Sequence, residues 1–73
     1  MTTAEDKKQQ YRTYIGKRIA EERSKLGLSQ RDHAGLSGCD PATIAKIELG
    51  RWSAGIDVIG RIADSMGLRV DLI

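Results

Sequence analysis

The sequence of 73 residues has no phenylalanine, one proline, one histidine and one cysteine, and its aromatic residues are Tyr11, Tyr14 and Trp52. A lone Cys39 cannot close an internal disulfide, so nothing covalent staples the fold. Neither a Cys-x-x-Cys spacing nor a pair of histidines is present, so no metal site is expected. One histidine, one cysteine and no metal or nucleotide motif leave no arrangement of nucleophile and base, so an enzyme is not expected either. No apolar run approaches the roughly 20 residues that cross a bilayer. The opening MTTAEDKKQQ lacks the apolar core of a secretory signal, and a reducing cytoplasm is the expected compartment. A chain this short supports one small domain that buries about 60 to 65% of its unfolded surface. Well-packed helices and a second copy of the chain are what remains to stabilise it.

What is present is an ordinary globular balance, 30% charged and 40% hydrophobic, with a formal net charge of +2. The charge is uneven. Residues 1–36 carry eight Lys/Arg against five Asp/Glu, and residues 37–73 carry four against five. From Lys7 to Lys25 there are seven cations and two anions, Glu21 and Glu22. Such a front suits a polyanion; a solvated helix face is the plainer alternative.

Isoleucine, leucine and alanine recur at spacings of three and four, the period of amphipathic helices. Residues 1–10 are polar and read as an arm or an early helical turn, leaving residues 11–73 as the domain. Tyr11, Ile15, Ile19 and Leu26 form the stripe of a first helix that stops near Gly27. Ser29, with Asp32 three residues on, caps a brief second helix from Gln30. The run from Ser37 to Pro41 reads as a tight turn, with Asp40 as cap and Pro41 in the first turn of a third helix that ends at Gly50. After a loop over residues 51–54, Ile56, Ile59, Ile62, Ala63 and Met66 mark a fourth helix closed by Gly67. Gly60 inside it, which costs about 1 kcal/mol relative to Ala, suggests a close helix contact. The terminal LRVDLI alternates with period two, as in a short half-buried strand, or makes a last helical turn.

Two short helices joined by a glycine turn make a helix-turn-helix, which holds its second helix out to enter the DNA major groove. In residues 30–49, Ala34 stands where such helices touch, Gly38 in the turn, and Ile44 and Ile47 face inward. Here LSQRDHAGLSGCDPATIAKIELG, led by IGKRIAEERSKLG, resembles the helix-turn-helix transcriptional regulators of the Cro and phage-repressor type, the XRE family, over about residues 14–72. Agreement at Ile15, Gly16, Arg23, Gly27, Ser29, Gln30, Ala34, Gly38, Thr43, Ile44, Ile47, Glu48 and Gly50 carries the resemblance. It implies an all-α, lambda-repressor-like domain of four to five helices. It further implies that a homodimer binds a pseudo-palindromic operator in double-stranded DNA, with neither cofactor nor catalysis.

The resemblance also implies site residues. Gln30 matches a glutamine that clamps a phosphate and can support the recognition helix, and Arg23 with Glu48 matches a buried salt bridge. On the recognition helix, Ala42 and Ala45 suit thymine methyls, Thr43 a base edge or phosphate, and Lys46 a guanine. These are few hydrogen-bonding groups, so DNA shape is expected to supply part of the specificity. Arg51, Trp52 and Ser53 fall at phosphate-contacting positions, although Trp52 equally suits packing on the domain or on a dimer mate. His33 and Cys39 replace a usual leucine and valine and read as core residues; Leu36 replaces a usual charge. A repressor dimerising through the fourth helix and LRVDLI is the expected function. The alternative is an antitoxin that binds a protein toxin and autoregulates its operon.

Overall fold

The computed structural model describes residues 3–71. Four helices follow one another: α1 Ala4–Lys25, α2 Gln30–Ser37, α3 Pro41–Glu48 and α4 Ile56–Asp64. The fold is all-helical, as expected, and no strand occurs among the described residues. Residues 68–71 have no regular structure, which corrects the strand expected there. A lone strand leaves its N–H and C=O groups without a ladder partner, and no second strand lies beside this one. Leu72 and Ile73 lie outside the described residues.

The first two helices begin with reciprocal caps. The Thr3 hydroxyl accepts from the Asp6 N–H and the Asp6 carboxylate accepts from the Thr3 N–H, each at 3.1 Å. Ser29 and Asp32 repeat this at the start of α2, at 3.0 and 3.2 Å. In each case the backbone N–H, then the hydroxyl, holds the aspartate below its ordinary range. The first cap makes residues 4–10 part of α1, so the early helical turn is the alternative adopted. Asp40 takes up the extended cap backbone before α3 with no side-chain bond, and Pro41 occupies the first turn.

The 22 residues of α1 span about 33 Å, against about 12 to 14 Å for its partners. Its ends therefore outrun the core. Tyr11 is 72% exposed and Leu26 54%, and the inward stripe narrows to Ile15, Gly16 and Ile19. Ile19, Ala34, Ile44, Ile47, Ile59 and Ile62 form the core, with Cys39, Trp52, Val58 and Met66 packed against it. Cys39 is only half-buried. α3 lies against both α1 and α2, and α4 covers α2. His33 is fully enclosed and its Nε2–H donates to the Ile62 carbonyl at 3.2 Å, tying α2 to α4; Nδ1 has no partner. A Cβ at Gly60 would meet nothing within 4 Å, so the close contact expected there does not exist. α4 instead buries Ile59 and Ile62.

Candidate nucleic-acid interface

α2 ends at Gly38, whose φ of 71° lies in the left-handed region that favours glycine. The Cys39 N–H then returns to the Ala34 carbonyl at 2.9 Å, and the chain enters α3 within two residues. Since Ile44 and Ile47 are buried, helical periodicity turns Ala42, Ala45 and Lys46 outward. Ala42, Lys46, Arg51 and Ser53 are exposed, whereas Thr43, Ala45 and Trp52 are half-buried. Arg31, which the sequence reading did not single out, adds an exposed cation next to Gln30 in the first turn of α2.

Behind this face lies a polar clamp. Arg23 Nε donates to Glu48 Oε2 at 2.7 Å and Nη2 to Oε1 at 2.9 Å, a two-point pair in which Glu48 is 6% and Arg23 18% exposed. Arg23 Nη1 also donates to the Leu28 carbonyl at 2.8 Å. Gln30 Nε2 donates to Glu48 Oε1 at 3.0 Å, so its amide is already committed to the end of α3. Burial by itself raises the Glu48 carboxyl, but the bonds from Arg23 and Gln30 and the guanidinium charge outweigh it. The result lies below the ordinary value of 4.5. The same bond to Glu48 raises the Arg23 guanidinium. One carboxylate thus joins the end of α1, the entry to α2 and the end of α3.

A second anchor, not singled out by sequence reasoning, holds the other flank. A Cβ at Gly16 would overlap the Ile47 carbonyl oxygen and come within 3.1 Å of the Glu48 backbone, so α1 touches α3 backbone to backbone. One and two turns earlier, Thr13 and Gln9 crowd Gly50, where a Cβ would sit 3.0 Å from the Thr13 hydroxyl. Gln9 Nε2 donates to the Gly50 carbonyl at 3.0 Å, and Trp52 Nε1 donates to the Arg12 carbonyl at 3.3 Å. The small residues Thr13 and Gly16, three apart on one face of α1, were the available signal for this contact.

Among the described residues no group of His, Cys, Asp or Glu could hold a metal ion, and no helix is long and apolar enough to cross a membrane. What the arrangement presents is a short exposed helix, preceded by a tight turn and fixed from behind, with Lys46, Arg51 and Arg31 outward. That is the geometry of a DNA-reading unit. Neither a curated protein nor a solved structure matches the chain. A family model described as a helix-turn-helix domain matches residues 15–73. With most of its length matched, and with the turn and clamp in place, the chain belongs to the helix-turn-helix domain family.

Proposed function

We propose that this is a sequence-specific DNA-binding transcriptional regulator of the XRE type, a repressor that binds a pseudo-palindromic operator as a two-fold dimer. The observation that carries this reading is α3 itself: its outward side is exposed while its far end is clamped by Arg23 and Gln30 through Glu48. A helix held in this way can enter a major groove at a set angle. Ala42 and Ala45 then supply methyl contacts, Thr43 and Lys46 hydrogen bonds to base edges, and Arg51 and Ser53 phosphate contacts. Gln30, engaged with Glu48, supports α3 and keeps its remaining amide valence for a phosphate. The indole N–H of Trp52 is spent within the chain, so its part is to shape the loop. No cofactor enters this scheme, and the cytoplasm is the compartment it requires.

The dimer surface we assign is the groove of about 240 Å³ between α1, α4 and residues 68–71, where Tyr14, Ile15, Ile59, Met66, Leu68 and Val70 line an open apolar face. The antitoxin reading draws on the same face, which would then take a toxin instead of a second copy.

Binding to duplex DNA enriched from a random-sequence pool tests the DNA reading. Arg51→Ala should weaken binding between 50 and 200 mM salt and lower the slope of log affinity against log salt by about one, the share of one phosphate-neutralising cation. Affinity independent of salt, or equal for both proteins, would remove this face as the reader.

A further inference from the structure

The helix-turn-helix match begins at residue 15, yet α1 begins at Ala4, so three turns of helix precede the matched region. Through Gln9, Arg12 and Thr13 these turns are tied to the loop that leaves α3. Gln9 reaches the Gly50 carbonyl, Thr13 packs on Gly50, and the Arg12 carbonyl receives the Trp52 indole N–H. Gln9 is itself steadied by the Thr13 hydroxyl at 3.2 Å. The segment so gripped is the start of the loop over residues 51–55, which has no regular structure of its own.

We infer that residues 4–14 of α1 brace the loop that follows the recognition helix, with Gln9 and Trp52 as positioning residues that preset Arg51 and Ser53 for phosphate. The inference rests on the DNA-binding reading for its purpose. At the loop's entry, the Arg51 N–H closes onto the Lys46 carbonyl at 2.9 Å, which fixes where the chain leaves α3. Gln9 then holds Gly50 and Arg12 holds Trp52, so Arg51 lies between two anchored neighbours while its own side chain stays exposed. Ordering a backbone residue costs conformational entropy, and an unbraced loop would meet that cost when it met DNA. A loop already held gains affinity without adding a contact. The anchors also sit on a carbonyl and an indole rather than on charged groups, so they leave the cations of the face free for phosphate.

Three variants of the full chain test this: Gln9→Met, which keeps length and helix propensity but has no donor, Trp52→Phe, which keeps a ring but has no N–H, and the exposed control Gln10→Met. Amide hydrogen exchange of Gly50 and Arg51 in the free protein, whose N–H groups close onto the Ile47 and Lys46 carbonyls, should quicken by about tenfold in the first two, with the amides of Ile44, Ile47 and Ile62 unchanged. Dissociation constants for the enriched duplex should rise by about five- to tenfold, with the salt slope kept, because the brace acts on loop order and not on charge. Unchanged loop exchange in both variants overturns the brace, and faster exchange with unchanged affinity overturns its positioning role. The exchange measurement needs no DNA. It therefore decides the brace even where the wild type shows no salt-dependent binding, a result that overturns only the DNA reading.

Discussion

At the residue scale, the outcome turns on how Glu48 is satisfied. Its carboxylate is almost wholly enclosed and takes bonds from Arg23 at two points and from Gln30 at one. Removing one partner leaves a charge in a partly desolvated site, so Arg23→Met should cost about 3 kcal/mol, at the low end for a broken buried pair because Arg23 keeps some water. Arg18→Met, which removes an exposed pair with Glu22, should cost under about 0.5 kcal/mol. Denaturant melts of the two variants check this, and equal small effects would show that the clamp does not matter to stability. The sign of the pH dependence follows from the lowered carboxyl. A folded-state value below 4.5 means that Glu48 contributes stability above that pH and loses it as pH falls through the lower folded value. The stability gap between wild type and Glu48→Gln should therefore narrow steadily below about pH 4.5, a trend that melts from pH 7 down to pH 3 would reveal.

At the element scale, the position of α3 depends on how closely α1 approaches it. Gly16 and Gly60 both sit inside helices, where glycine costs about 0.5 to 1 kcal/mol relative to alanine. Their surroundings give opposite signs to the same substitution. Gly16→Ala would push a methyl into the backbone of Ile47 and Glu48 and force α1 away from α3, for a loss of about 2 to 3 kcal/mol. Gly60→Ala meets nothing within 4 Å and should gain about 0.5 to 1 kcal/mol. Thermal melts separate the two: a stabilised Gly16→Ala would mean that the helices can part freely. The Gly16 variant should also lose DNA affinity, because moving α1 disturbs the clamp and the brace together. Helix caps were the most local feature, and Ser29 with Asp32 follows from their spacing alone. The length of α1 was not local in this sense. Its polar first turns have no apolar stripe; beyond the local Thr3–Asp6 cap, they are held by the contacts of Gln9 with Gly50 and of Arg12 with Trp52.

At the scale of the whole molecule, one domain presents one recognition helix, and two half-sites about 34 to 36 Å apart require two. The proposed dimer face is the groove between α1, α4 and the residues after Gly67, on which Leu68 and Val70 are each 43% exposed. Its rim carries Arg18 and Arg69 with Glu22 and Asp71, charges of both signs that a two-fold axis can bring into opposition. Truncation after Gly67 should give a folded monomer with weakened DNA binding, since the core residues all precede the cut. Sedimentation equilibrium reads this directly; a truncated chain still dimeric at micromolar concentration would move the interface elsewhere, to the exposed Tyr11 side of α1 or the Trp52 loop.

Sequence by itself determined the four helices, the turn at Gly38 and apolar stripes that contain the inward Ile19, Ala34, Ile44, Ile47, Ile59 and Ile62, although the same stripes took in Tyr11, Leu26 and Ile56, which packing leaves exposed. Each follows from local rules: a three-to-four spacing, a capping residue, or a glycine where the backbone turns left-handed. It also carries the resemblance that pairs Arg23 with Glu48; the bond from Gln30 to the same carboxylate is a finding of the structure. Tertiary structure alone decided the rest. Whether LRVDLI forms a strand depends on a second strand to pair with, and the described residues hold none. Whether Gly60 or Gly16 marks a helix crossing depends on what stands opposite, which periodicity cannot say. Gln9 and Gly50 are 41 residues apart, and no local rule links an exposed-looking glutamine in a polar stretch to a carbonyl at the end of the recognition helix. A helix is written in the residues of its own stretch, but a contact between helices is written in two stretches at once, and only packing brings them together.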